Sequence, residues 1–97
     1  MKELYFEWDD QKEKTNIKKH GIDFSTAAKV FNDENRLELY DVDHSENEDR
    51  YRVIGSIGNH LAVITVSYTP RENEKIIRLI SARLSTKEER SAYYGFS

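Results

Sequence analysis

A chain of 97 residues has room for one domain built on a single modest hydrophobic core, and its 37% hydrophobic and 34% charged residues describe a globular protein rather than a disordered one. The absence of cysteine excludes a disulfide framework, a thiolate metal site and a thiol nucleophile. A net charge of −3 excludes a uniformly basic nucleic-acid binder, yet Arg50, Arg52, Arg71, Arg78, Arg83 and Arg90 all follow an acidic stretch between Asp33 and Asp49, which leaves one basic face open. Met1–Leu4 carries no apolar signal core and no run of about 18 apolar residues occurs, so a cytoplasmic protein without membrane insertion is expected.

Leu4, Phe6 and Trp8 alternate with Tyr5 and Glu7, the period of a first strand. Asp10 with Glu13 has capping-box spacing and Gly21 supplies a left-handed stop, so residues 10 to 20 read as a mostly polar helix. Ser25 suits the cap of a second short helix in which Ala27, Ala28, Val30 and Phe31 face the core, ended by Asn32-Asp33. Four strands follow, over 37–42, 50–57, 61–68 and 75–84. Gly58-Asn59 suits a tight hairpin containing His60, Thr69 to Asn73 a longer turn, and the segment Asp43 to Asp49 a flexible loop. Ser85 with Glu88 opens a last helix that Gly95 closes. The expected order is β-α-α-β-β-β-β-α, an α+β fold with an antiparallel meander sheet packed by helices, one domain over 1–97.

Several residues taken in order, Phe6-Glu7-Trp8-Asp9, Lys12, Asn16, Lys19-His20-Gly21, Phe24, Ala27, Val30-Phe31, Asp49-Arg50, Gly55, Arg71, Arg78, Ile80-Ser81-Ala82-Arg83, Glu89 and Tyr93, resemble the BrnT family over nearly the whole chain. The resemblance implies a toxin of a bacterial type II toxin–antitoxin module with a RelE-like fold, a ribonuclease that inhibits translation and is neutralised by a BrnA-like antitoxin. It implies RNA as substrate, DNA contact only through the antitoxin, no cofactor, and a homodimer within the toxin–antitoxin complex.

Metal-free RNA cleavage uses the 2′-hydroxyl as internal nucleophile and asks the protein for a base, an acid and cationic donors. Arginine suits the last task because its planar fork holds phosphate bidentately and stays charged. Arg50, Arg78 and Arg83 are the strand candidates, with Arg71 in the loop before the last strand. Strict alternation puts Arg78 and Arg83 on opposite faces unless a bulge shifts the register. All of them also fit a solvated face paired with carboxylates. His20 reads either as a helix C-cap or as the proton-transfer group, and the resemblance favours the second. Glu48 beside Arg50 is a candidate base or a charged strand entry, and Lys19 a phosphate contact or a solvated lysine. Tyr68 and Tyr93 are either base-stacking residues or core. The acidic loop with Asp41, Asp43, His44 and Glu46 fails the calcium-loop pattern, because Glu46 stands where glycine is required and Arg52 where the bidentate glutamate belongs, so no metal is expected. Two functions therefore follow, a ribonuclease toxin or a non-catalytic module that docks a DNA-binding partner, and convergence of the arginines on a groove separates them.

Overall fold

The computed structural model describes residues 3–58 and 62–95, so Leu61, Asn59 and the expected turn residue His60 lie outside it. It is a mixed α+β structure with one five-stranded sheet of order β1-β5-β4-β3-β2. The elements are β1 (Tyr5–Glu7), α1 (Asp10–His20), α2 (Phe24–Ala27) running into a 3₁₀ helix (Ala28–Asn32), β2 (Leu37–Tyr40), a 3₁₀ turn (Val42–His44), β3 (Tyr51–Ile57), β4 (Ala62–Arg71), β5 (Ile76–Leu84) and α3 (Lys87–Tyr94). No described helix is long and apolar enough to cross a membrane.

The sheet is mixed, which corrects the purely antiparallel meander. β2 to β5 pair antiparallel in sequence order, but β1 lies beside β5 and parallel to it, with Phe6 opposite Ile77. The register places Val53, Val66, Tyr68, Leu79, Ile77 and Ala82 on one face, where they pack with Phe24, Ala27, Val30 and Phe31. Phe6 joins the same core, its ring 5.3 Å from that of Phe31, and this apolar contact fixes β1 at the far edge. Gly55 allows the 3₁₀ helix to approach β3, since a Cβ there would stand 2.7 Å from Val30 Cγ2.

Several caps fall one or two residues from their expected places. Asp9, not Asp10, caps α1 by accepting from the N–H groups of Gln11 and Lys12, which frees Glu13 to accept from Phe24 N–H at the start of α2. Asp23 rather than Ser25 caps α2. The capping box of α3 is Thr86 with Glu89 rather than Ser85 with Glu88. Arg71 ends β4 instead of lying in a loop, and the turn occupies Glu72 to Lys75, with Glu72, Asn73 and Glu74 at positive φ. Pro70 is accommodated inside β4 because β3 pairs only as far as Tyr51 with Tyr68, so at Pro70 only β5 lies alongside.

A β-bulge in β5 sets up the other face. Ser67 pairs with Ser81 while Tyr68 pairs with Leu79, so Ile80 is the extra residue. Arg83 then pairs with Thr65 and Arg78 with Thr69, four residues apart on β4 and hence on one face; Arg52 joins them through its pairing with Ser67. Alternation alone would have separated Arg78 from Arg83. The bulge puts Arg78 and Arg83 together on the face opposite the hydrophobic core, where Arg52 also lies.

Candidate active site

The segment between β2 and β3 folds back over this outer face and is tied down. Asp41 N–H donates to Arg50 O, Ser45 Oγ donates to Asp41 O at 2.6 Å, and Arg50 N–H donates to Ser45 Oγ at 2.9 Å. The expected flexible loop is thus a compact turn held by Ser45 and by the backbone bonds of Asp41. Beneath it lies a cleft of about 360 Å³ lined by Asp41, Asp43, His44, Arg50, Arg52, Ser67, Ile80, Ser81 and Arg83. Three guanidinium groups converge on it from the entry of β3, from β3 and from β5. The Nε–H groups of Arg50 and Arg52 are buried without a hydrogen-bond partner among the described residues, Glu48 standing 3.9 Å from that of Arg50.

One carboxylate organises the back of the cleft. Glu89, in the first turn of α3, accepts from Arg83 Nη1 at 2.6 Å and Nη2 at 3.0 Å, from Arg52 Nη1 at 3.3 Å, from Thr65 Oγ1 at 3.0 Å and from Thr86 N–H at 2.8 Å. Burial pushes its carboxyl up, but the hydrogen bonds from Arg83, Thr86 and Thr65 outweigh that and hold it at about 2. The same bonds raise the Arg83 guanidinium further. Arg83 is therefore locked in a bidentate fork and cannot swing out of the site.

The other candidate residues are placed elsewhere. Arg78 donates to Glu7 at 2.7 Å, and Arg71 lies 3.9 Å from Glu7 and 3.4 Å from Glu48. Glu48 in turn stands 3.9 Å from Arg50 Nε, so an alternating chain of charges runs from Arg78 to the margin of the cleft. His20 closes α1 and is exposed, as is Lys19, and neither lines the cleft. Tyr68 is buried on the core face, donates to Glu38 at 2.9 Å and stacks on Tyr51; burial and Glu38 push its hydroxyl far above the usual range. Tyr93 donates to Asp33 Oδ2 at 2.6 Å, and burial together with that bond raises its hydroxyl to about 12. Neither tyrosine lines the arginine cleft.

Residue reasoning gave no site role to Arg52, Glu89, Asp41 or His44. Arg52 follows Arg50 by two, the spacing that sets two strand side chains on one face, and that signal was present. Glu89 stands three residues after Thr86, the spacing of a capping box. His44 sits in a polar loop where nothing in the local pattern shows which face the loop will cover. No group of three or more His, Asp or Glu among the described residues is disposed to hold a metal ion.

Comparison with known proteins adds one finding. A family model described as the ribonuclease toxin, BrnT, of type II toxin–antitoxin systems matches residues 8–89, from the end of β1 to the carboxylate behind the cleft. No curated protein matches the chain.

Proposed function

Because the chain belongs to the BrnT family of ribonuclease toxins from type II toxin–antitoxin systems, we propose that it is a metal-independent endoribonuclease whose arginine cleft holds the scissile phosphate. The convergence of Arg50, Arg52 and Arg83 carries this reading. In the reaction the 2′-oxygen attacks phosphorus, the 2′-O–P bond forms as the P–O5′ bond breaks, and the products end in a 2′,3′-cyclic phosphate and a 5′-hydroxyl. Charge grows on the non-bridging oxygens of the phosphorane, and fixed guanidinium donors stabilise it more than they stabilise the starting diester. Glu89 supplies the fixing for two of the three. Cleaving RNA in this way blocks translation in the cytoplasm, and a fold kinship with RelE fits the mixed sheet.

A type II toxin has an antitoxin partner. A BrnA-like antitoxin would cover the cationic cleft and carry the DNA contact, with a second copy of the toxin in the assembled complex. A non-catalytic docking role has one observation in its favour, the pairing of Arg71 and Arg78 with Glu7 and Glu48, which neutralises that half of the outer face.

The test is cleavage of mixed-sequence single-stranded RNA in chelator by the wild type, Arg50→Ala and Arg83→Lys, each checked by circular dichroism. Lysine keeps a positive charge near Glu89, so the second variant separates the fork from the charge. Folded variants should lose roughly 10²- to 10³-fold in kcat, as expected for removing one preorganised donor. Full activity in both, or none in the wild type, would favour docking alone.

A further inference from the structure

We infer that His44 is the catalytic base of this cleft and that Asp41 is its positioning residue, an assignment that rests on the RNA-cleaving reading above. Arginines cannot accept a proton at neutral pH, so among the cleft's side chains the candidates are Asp41, Asp43 and His44. Of these residue types histidine alone ordinarily exchanges its proton near neutral pH, as a general base must, whereas an ordinary carboxylate is too weak a base. Asp41 is engaged, with its Oδ2 2.9 Å from His44 Nδ1 and its side chain only 13% exposed. A carboxylate only accepts hydrogen bonds, so the neutral imidazole in this contact carries its hydrogen on Nδ1 and its lone pair on Nε2. That is the tautomer a general base needs, oriented by a carboxylate behind it.

The position is also suitable. His44 ends the 3₁₀ turn Val42–His44, and the next residue is Ser45, whose hydroxyl bonds fasten the turn to Asp41 and Arg50. The imidazole is thus carried on a fastened support facing Arg50, Arg52, Arg83 and Asp43, while 66% exposure of its side chain leaves it reachable by an RNA strand. The 2′-hydroxyl proton passes to Nε2 as the 2′-O–P bond forms; the P–O5′ bond breaks, water protonates O5′, and the resulting hydroxide takes the proton back from the imidazolium.

The experiment compares the full chain with His44→Ala, His44→Gln, Asp41→Asn and Arg50→Ala on labelled single-stranded RNA, with folding followed by circular dichroism and Tm. Folded His44→Ala should lose roughly 10²- to 10⁴-fold in kcat with little change in KM, and added imidazole should restore part of that rate in His44→Ala but none in Arg50→Ala. Asp41→Asn should lower kcat with KM unchanged, because it disturbs the imidazole and not the phosphate site. Wild-type rates in folded His44→Ala and His44→Gln, beside a collapsed Arg50→Ala, overturn the assignment while leaving the ribonuclease reading intact. Loss without imidazole rescue also overturns it, since His44 would then only support the turn. No cleavage by the wild type overturns both.

Discussion

Glu89 joins fold to site through a carboxyl held at about 2 by Arg83, Thr86 and Thr65 against the opposing effect of burial. Because its pKa is depressed in the folded state, its contribution is complete above about pH 5 and disappears as pH falls towards 2. The fall from 4.5 to about 2 corresponds to at most roughly 3.5 kcal/mol. Denaturant titrations of the wild type and Glu89→Gln should therefore differ by a constant amount above about pH 5 and converge on acidification; a difference that stays constant down to pH 2 would refute the role. At this scale the sequence displayed the right residue types but not their partners. The capping box was expected at Ser85 with Glu88, one residue early, and Glu89 also reaches Arg52 and Thr65, which lie 37 and 24 residues away in the chain. Tyr68 and Tyr93 had two readings each, and only tertiary contacts with Glu38 and Asp33 show where their hydroxyls go.

The helix ends marked by glycine were legible, whereas the N-caps fell one or two residues away. Gly21, at φ 71°, closes α1 where a left-handed residue was expected. What local pattern cannot show is which strands meet, and β1 illustrates it, because its parallel partner lies some 70 residues later. β1 covers β5 only from Ile76 to Arg78, and beyond it Asn16 takes the place of a strand residue. Its Nδ2 donates to Ala82 O at 2.9 Å and its Oδ1 accepts from Ala82 N–H at 3.0 Å, with a further bond from Nδ2 to Ile22 O. Asn16 is the buried residue of an otherwise polar helix. Asn16→Ala would strand buried backbone groups, and by their desolvation it should cost about 2–4 kcal/mol in a urea melt without changing the helix content of the folded state. A loss below about 0.5 kcal/mol would mean that α1 is held by other contacts.

Across the whole molecule, a protein of net charge −3 can bind RNA only through a localised field. Only Arg50, Arg52 and Arg83 of the arginines line the cleft, so a plot of log affinity against log salt should have a slope of about −2, from roughly 0.7 counterions released per neutralised phosphate. A slope steeper than about −4, measured by fluorescence anisotropy with a labelled RNA, would require a basic surface beyond the cleft. The division of labour behind this estimate is between the two sides of one sheet, and the bulge at Ile80 lets Arg78 and Arg83 share the outer side despite their odd spacing. Loss of one residue from the Glu72 to Lys75 turn would alter a surface connection, and loss of Ile80 itself would leave an unbroken ladder in which Leu79 still pairs with Tyr68, Ser81 with Ser67 and Arg83 with Thr65, so the arginines would keep their side. Length variation among relatives should accordingly be borne both in the turn and at the bulge, the two places where β4 and β5 can change length without changing which side their side chains occupy.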